Sequence, residues 1–395
     1  MRPLLSSTAA LALLAATPAL AAEIPGDVIV DARLRYESVD QDGFSRDADA
    51  LTLRTRLGYE TPAWRGFKLL VEGENVTALI DDYNSSTNGK LGYPLVTDPE
   101  TTELNRAQIS WSGARGEAVV GRQRIILGNA RFVGNVGFRQ NEQTFDAVKA
   151  VWRPDPAVSA TYVYIDKVRR IFGDDHPQGE FDSHSHLLQV DAKTPAGQLT
   201  GYGYLLDLGN APALSSETWG LRLAGQRPLG GDLSAIYAAE YARQTDHGNA
   251  PLEFDLDYVE LTGGLKKGAH QVTVSLEQLD GDGRRGFQTP LATLHAFQGF
   301  ADVFLTTPAD GVRDLNLRAS TSFGGPHGKP IRLAAAVHDF EAADGGRDFG
   351  RELDLAASTP LTKTLTGEIK AAVFEGEAAG FADRVKIWTS LELKF

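Results

Sequence analysis

The sequence of 395 residues contains no cysteine and a single methionine, Met1. Without cysteine, it can form neither disulfide bonds nor the thiolate-ligated zinc and iron–sulfur sites that depend on this residue. After the N-terminal segment, no window of 18 residues is free of charged side chains, which excludes transmembrane helices. The formal net charge of −13 argues against nucleic acid as a partner. Proline- or serine-rich linkers and low-complexity blocks are also missing, so one large domain is expected.

The first 22 residues have the pattern of a Sec signal peptide. Arg2 gives a positive start, Leu4–Ala16 is apolar, and Ala19-Leu20-Ala21 is a small-residue cleavage site. A membrane anchor fits less well, because the apolar stretch is too short for a hydrocarbon core of about 30 Å. Removal of this segment, whose only charged side chain is Arg2, changes the net charge from −13 to −14. We therefore expect a mature domain over residues 23–395.

Apolar and polar side chains alternate along most of this domain. In Val28–Tyr36 the even positions are apolar and the charged residues lie between them. The same period of two recurs in Leu51–Tyr59, Val272–Leu276 and Leu353–Ala357, and we count about eighteen such segments. A period of two is typical of β-strands with one apolar face. The sequence therefore predicts an all-β protein.

The connections between these segments alternate in length. Short ones contain proline or glycine, such as Thr61-Pro62-Ala63-Trp64 and Thr194-Pro195-Ala196-Gly197. Short periplasmic turns that alternate with long external loops are typical of an outer-membrane barrel. The long polar connections are expected at about Ile80–Thr101, Ile126–Gln143, Asp166–Ser183 and Gly281–Gly311.

Alternation alone does not show which face is outside, and a secreted sandwich or a β-solenoid is the alternative. The last segment, Val385–Phe395, has apolar residues at every second position and ends on an aromatic residue, which resembles the C-terminal signature of outer-membrane proteins. Aromatic residues near predicted strand ends are typical of interfacial girdles. We therefore predict a transmembrane, antiparallel, up-and-down β-barrel of about 18 strands, in contact with the lipid of the bacterial outer membrane. The girdle candidates are Tyr36, Tyr59, Phe67, Trp111, Trp152, Trp219 and Trp388.

If the apolar face meets lipid, the first five strands bring a set of arginines to the lumen. Arginine remains charged and presents a planar fork of donors to carboxylate, sulfate or phosphate. Inward positions of later strands are richer in acids, such as Glu240, Glu277 and Asp354. One interpretation is a track for anionic solute, and the other is that the arginines pair with acids along the wall. The arginines are Arg33, Arg35, Arg54, Arg56, Arg106, Arg122 and Arg124.

The long connection at about 126–143 combines glycines, arginines and amides. Its glycines permit unusual backbone angles, and Phe132, Val133 and Phe138 are suited to pin it against the wall. We predict a folded, pore-constricting loop, with an external cap packed on itself as the alternative. The polar residues expected at the constriction are Arg131, Arg139, Gln140, Asn141 and Glu142.

Two stretches, Gly121–Val148 and Phe287–Leu315, resemble hallmark segments of the alginate-export family of outer-membrane porins. The run Arg-Phe-Val-Gly-Asn-Val-Gly-Phe-Arg-Gln-Asn (131–141) carries most of the resemblance, which extends over the whole mature chain. It implies a monomeric, electropositive pore for a polyanionic uronic-acid polymer. On matching positions it implies that the pore is lined by Arg106, Arg122, Arg124, Arg131 and Arg139.

We therefore expect a porin that lets anionic, uronic-acid-type saccharide diffuse through an arginine-lined pore, with periplasmic scaffold proteins as further partners. The alternative is a general or small-anion uptake porin without polysaccharide export. No nucleophile motif, cofactor site or complete metal site is recognisable, so an enzyme is not expected. His184 with His186, and Asp280-Gly281-Asp282-Gly283, lack the further ligands that a metal ion needs.

Overall fold

The computed structural model describes residues 25–325 and 328–395. The predicted signal peptide, residues 1–22, lies outside the described residues. Eighteen antiparallel strands form one sheet, in which each strand pairs with its sequence neighbours and β1 also pairs with β18. The sheet is therefore a closed ring, which confirms the predicted barrel and its strand number. Closure pairs the backbone of Val30 with that of Phe395 at 2.8 and 3.0 Å.

The strands are 8 to 16 residues long. The first nine are β1 Asp27–Gln41, β2 Ala48–Glu60, β3 Phe67–Asp82, β4 Thr101–Gly113, β5 Gly116–Gln123, β6 Thr144–Asp155, β7 Val158–Arg169, β8 Glu180–Thr194 and β9 Gly197–Leu206. The other nine are β10 Ser216–Gly230, β11 Leu233–Thr245, β12 Asp255–Lys267, β13 His270–Leu279, β14 Val312–Gly324, β15 Pro330–Glu341, β16 Asp348–Pro360, β17 Leu365–Gly376 and β18 Arg384–Lys394.

The two 3-10 helices with fully described bounds are short, Pro212–Leu214 and Leu294–Ala296. In the described ranges no helix is long and apolar enough to cross a membrane.

All long connections lie at one end of the barrel, the loop end, and the short ones lie at the other, the turn end. The three longest loops are L2 (83–100), L3 (124–143) and L7 (280–311), and L3 and L7 form the site described below. The predicted positions of these loops were nearly right. The connection predicted at Asp166–Ser183 is shorter, 170–179, because β7 continues to Arg169 and β8 already begins at Glu180. In outer-membrane barrels the turn end faces the periplasm.

The apolar face of each strand points outward. Val71, Ile109 and Leu317 are 45 to 56 % exposed, whereas lumen-facing neighbours such as Glu72 and Asn316 are 1 to 4 % exposed. Every backbone group of a closed sheet is paired within the ring, and the outer face offers apolar side chains to hydrocarbon. The predicted assignment of outside and inside is therefore confirmed.

Aromatic residues lie on the outer face near both ends of the strands. Trp111 and Trp152 are exposed near the turn end, and Trp219 is exposed near the loop end. Trp388 contradicts the prediction: it is 2 % exposed and shares the lumen-facing side of β18 with Lys386. The alternation of β18 places its odd-numbered apolar residues outside, so an even-numbered residue must face inward.

Candidate functional site

L3 folds into the barrel and crosses to the opposite part of the wall. Arg33 of β1 donates from Nε to Gln140 Oε1 at 2.9 Å and from Nη1 to the Gly137 carbonyl at 3.0 Å. Arg35 donates to the Phe138 carbonyl. The loop leaves β5 and contacts both β1, four strands away in the ring, and β13, eight strands away in the other direction, so it spans the lumen. These contacts favour the predicted inward-folded loop over an external cap.

The polar residues of L3 are used to hold the loop in place. Gln140 Nε2 donates to Thr52 Oγ1 at 2.8 Å, and Glu142 contacts Arg124 at 2.5 Å. The five polar residues that the sequence placed at a constriction are at most 6 % exposed. Arg131, Arg139, Gln140, Asn141 and Glu142 therefore position L3 and do not face open lumen, which corrects their expected role as pore-lining residues.

L3 meets L7 inside the barrel, and the two loops are joined through their backbones. Gly134 N donates to the Leu291 carbonyl at 2.8 Å, and Thr293 N donates to the Ala130 carbonyl at 3.0 Å. The approach at Gly134 is so close that a Cβ atom there would lie 2.1 Å from Thr293 Oγ1. A side chain at this position would therefore separate the loops. L3 and L7 are thus joined inside the barrel, and we call the two loops together the L3–L7 plug.

Apolar and charged contacts fix the L3–L7 plug to the wall. Phe132 packs on Tyr202 and Tyr258, with ring centroids 5.4 and 5.2 Å apart. Arg131 Nε lies 2.5 Å from Glu277 Oε1 of β13. Burial of such a pair costs desolvation energy and is tolerated only with good geometry and further hydrogen bonds. These contacts make the plug a fixed part of the barrel.

Asp302 of L7 is the centre of the most charged part of the plug. It accepts from Arg139 Nη2 at 2.9 Å and from Lys386 Nζ at 3.3 Å, and it lies 2.9 Å from His295 Nδ1. All four side chains are at most 7 % exposed. Asp302 therefore ties L3, L7 and the wall strand β18 together.

His295 completes this arrangement as a neutral side chain. Its ring stacks on Phe138 of L3 at 3.4 Å between centroids, and its Nε2 lies 2.5 Å from Lys370 Nζ. The imidazole Nε2 accepts from the Lys370 ammonium, so Nδ1–H donates to Asp302. Burial lowers the pKa of His295 to about 3, and the nearby Lys370 charge also lowers it, against the opposing effect of Asp302.

We expect the plug to loosen as the pH falls from about 6.5 towards 3. In this range the released or unfolded segment takes up a proton at His295 near its usual pKa of 6.5, whereas the packed imidazole does not. The packed state therefore loses stability as the pH falls. Single-channel recordings at pH 7.5 and 4.5 should show more current fluctuation at the lower pH. His295→Gln should reduce this difference, and His247→Gln in an exposed loop should not; equal behaviour of both variants would contradict the assignment.

Most arginines of the predicted ladder are neutralised by acids. Seven carboxylates lie within 4.0 Å of Arg35, Arg54, Arg56, Arg106 and Arg124. For these five arginines the structure shows the pairing alternative rather than a free anion track. The acids are Asp31, Glu37, Glu72, Glu74, Asp98, Glu142 and Glu392.

Arg122 points away from the lumen, which contradicts its predicted place in the ladder. It has the same strand parity as Val120, which is 51 % exposed on the outer face. Its partner Asp146 lies at 2.7 Å, between the inward residues Phe145 and Ala147 of β6. Arg122 is therefore part of a charged patch on the outer face near the loop end.

Four arginines that face the lumen have no carboxylate oxygen within 4.0 Å in the described parts of the chain: Arg33, Arg318, Arg332 and Arg384. Arg33 and Arg384 donate to backbone carbonyls of L3 and L7. Arg318 donates only to Asn316 Oδ1, at 3.1 Å. Sequence reasoning expects Arg318 and Arg332 at inward positions but has no means of telling them from the paired arginines. Their cross-strand neighbours are the small residues Thr273, Ala336, Ser322 and Ser358.

Three cavities lined by described residues lie in the lumen on the turn side of the plug. One of about 200 Å³ is lined by Arg318, Phe300 and Asp354. A second, of about 480 Å³, lies between L3 and the wall near Arg222 and Glu240. The third, of about 180 Å³, includes Arg33 and Trp388 and is called the seam cavity here, because β1 and β18 close the ring beside it. A solute that passes the plug must use this region.

Acidic side chains of the later strands do face the lumen, as expected. Glu240 pairs with Arg222 at 3.0 Å, and Asp314 lies 2.9 Å from His338. Glu352 and Asp354 accept from the backbone N–H groups of Ala301 and Phe300, so they hold L7 against the wall. The lumen wall therefore carries positive and negative side chains on the later strands as well as on the first five.

The two histidines considered as metal ligands lie on the outer face of β8. His184 and His186 are exposed and hydrogen-bond to Tyr164 and Tyr162 at 3.1 and 2.8 Å. Within residues 25–325 and 328–395, no group of three or more potential ligands is arranged to hold a metal ion.

No protein-family model matches the sequence, and no curated protein matches it. Several solved structures, however, match the fold of the chain. OpdL of Pseudomonas aeruginosa is 16 % identical, with a TM-score of 0.69 over 94 % of this chain and 98 % of that chain. OccK2 (OpdF) of the same organism, in complex with glucuronate, is 15 % identical, with a TM-score of 0.66 over 94 % and 100 %. OpdK of P. aeruginosa with vanillate is 16 % identical, with a TM-score of 0.67 over 93 % and 98 %.

These comparisons agree with the geometry described above. The chain has the fold of an outer-membrane porin, and a closed barrel with an apolar outer face belongs in the bacterial outer membrane. One of the solved structures is of OpdK, an outer-membrane protein of P. aeruginosa. The resemblance to the alginate-export family finds no support in them.

Proposed function

We propose that this protein is a channel for the uptake of small anionic solutes across the outer membrane. The observation that carries the proposal is the L3–L7 plug, which narrows the lumen and leaves arginines without carboxylate partners on its turn side. An arginine that is free of acids offers its charge and its donors to a passing anion. The likeness to OccK2 with glucuronate and to OpdK with vanillate supports small carboxylates as the solute class.

Export of a uronic-acid polymer is the less supported function. A polymer needs a wide, continuous passage, whereas here the backbones of L3 and L7 are hydrogen-bonded across the lumen. The ladder that would guide a polyanion is largely paired with acids. Small-solute uptake, the alternative that the sequence left open, is therefore favoured, with no scaffold protein required.

Ion selectivity tests the proposal. In planar bilayers under a salt gradient, the wild-type pore should give a reversal potential of the anion-selective sign. Arg318→Gln and Arg332→Gln should each lower the ratio of anion to cation permeability. At about 4 Å in water one charge contributes about 1 kcal/mol, or roughly fivefold in local anion concentration, which is an upper limit for each variant.

Arg122→Gln is the matched control, because it removes the same charge from the outer face. It should leave the permeability ratio unchanged, since the charge is separated from the lumen by the wall. Glucuronate should also reduce the salt current more than glucose at equal concentration. A cation-selective wild-type pore, or equal effects of glucuronate and glucose, would contradict the proposal.

A further inference from the structure

We propose that the seam cavity is a binding site for a small hydroxylated carboxylate, in which Trp388 is a specificity-determining residue. This inference rests on the proposed function and assigns a solute subclass to one place in the lumen. The cavity is lined by residues from β1, β16, β17, β18 and L3. Its β1 side carries arginine donors and its β16–β17 side carries acceptors, and we call these two sides the donor end and the acceptor end.

The donor end contains two buried N–H groups without an acceptor. Arg35 Nε and Trp388 Nε1 have no hydrogen-bond partner in the described chain, although the two residues are only 2 % exposed. Buried donors are almost always satisfied, and both residues line the same cavity, so an acceptor bound there would supply the partner that the chain does not. A carboxylate supplies two oxygens and favours charged donors.

Arg33 adds positive charge to the same end. Its Nε, Nη1 and Nη2 each donate once to L3, and the guanidinium has further N–H groups beyond these three bonds. No carboxylate of the described chain lies within 4.0 Å of it. Its cross-strand neighbour Glu392 also lines the cavity, but it is paired with Arg54 at 3.1 Å and with Lys394 at 2.7 Å. A solute carboxylate would therefore balance a charge that the protein itself leaves unpaired.

The acceptor end is formed by Glu368 together with the hydroxyl residues Ser358 and Thr366. Glu368 is exposed to the lumen and has no cationic partner within 4.0 Å among the described residues. A bare carboxylate repels an anion unless the anion brings donors of its own. Hydroxyl groups on the solute meet this need, because they donate to Glu368 while the solute carboxylate binds at the other end.

Size and shape agree with such a ligand. The volume of about 180 Å³ corresponds to roughly six water molecules, enough for a carboxylate and the adjoining carbons with their hydroxyls. Phe138 and Trp388 contribute aromatic surface, with ring centroids 5.7 Å apart in an edge-to-face arrangement. Aromatic surface accepts the C–H face of a ring, so a cyclic hydroxy acid fits better than a flat aromatic acid.

Current block in planar bilayers measures this binding. Three probes separate the contributions: glucuronate has a carboxylate and hydroxyls, cyclohexanecarboxylate has only the carboxylate, and glucose has only hydroxyls. Glucuronate should bind the wild-type pore at least about tenfold more tightly than either of the others. Trp388→Phe keeps the aromatic ring and removes the N–H donor, and it should weaken glucuronate block about tenfold, as expected for a hydrogen bond to a charged group.

Glu368→Gln removes the acceptor charge, so it should weaken the preference for glucuronate over cyclohexanecarboxylate. Trp219→Phe and Glu375→Gln are matched controls on the outer face, and they should bind glucuronate as the wild type does. If the wild type prefers anions but Trp388→Phe binds glucuronate unchanged, or cyclohexanecarboxylate blocks as well as glucuronate, the site is wrong and the channel function stands. If the wild type does not prefer anions, the proposed function itself fails.

Discussion

The Asp302→Ala channel should remain a folded barrel but carry a larger and noisier current than the wild type. Asp302 is buried and contacts Arg139, Lys386 and His295. Without it, two buried cations share Glu37 as their remaining nearby acid, at 3.0 and 3.5 Å. Removal of one partner from a buried ion-pair network costs about 3–5 kcal/mol. Because the barrel closes through its strands, this cost should fall on the plug and release L7 into a more open arrangement.

Asp310→Ala is the matched control within the same loop. Asp310 pairs with Arg347 at 3.0 Å, and both side chains are about half exposed. An exposed pair contributes about 0–1 kcal/mol, so this channel should record like the wild type. Heat-modifiable electrophoretic migration should show that both variants are folded. A folded Asp302→Ala channel with wild-type conductance and noise would contradict the role given to Asp302.

Leu317→Arg should prevent or strongly impair assembly of the barrel. Leu317 lies on the outer face near the middle of β14 and is 45 % exposed. A charged side chain near the bilayer midplane on this face costs about 2–4 kcal/mol. The yield of heat-modifiable protein after refolding into liposomes, and its resistance to urea, measure the effect.

Ser320→Arg places the same side chain three residues further along the same strand, but on the lumen side. Ser320 is exposed to the lumen beside Arg318, where water can solvate a guanidinium. This variant should therefore assemble with the yield of the wild type. Equal loss of assembly in both variants would mean that the outer and inner faces of β14 have been exchanged.

The strand pattern was predictable because it depends on local chemistry. A strand face that contacts hydrocarbon must carry apolar side chains, and these lie at every second residue of the strand. Segments such as Leu353–Ala357 show this alternation in the sequence. The prediction of which residues face outward fails where a strand is short and carries apolar residues on both faces. β5 contains Val119 and Val120 in succession, so the parity of Arg122 was ambiguous, and the strand already ends at Gln123. Arg124 turns inward with the start of L3, whereas Arg122 stays outside.

The arrangement of the lumen was not predictable in the same way. The contacts that define it join distant parts of the chain, such as Arg131 with Glu277 and Phe138 with His295. Nothing in the residues near Arg131 shows which acid will neutralise it. The long loop at 280–311 was recognisable by length, but not its attachment to L3. Trp388 was assigned to the lipid girdle because it is an aromatic residue near a strand end. At such a position an aromatic side chain can face either the lipid or the lumen, so the position alone did not decide between them.

The seam between β1 and β18 has a kinetic consequence. Its register joins Asp31 with Lys394, so the two partners come from opposite ends of the barrel sequence. Contacts of such high sequence separation form late, since the entropy of ordering the intervening chain must be lost first. L3 touches both seam strands, through Arg33 and Arg35 on β1 and through Trp388 on β18. The loop that narrows the mature pore is thus placed to act earlier as an internal template, which holds the first strand in position until the last one arrives.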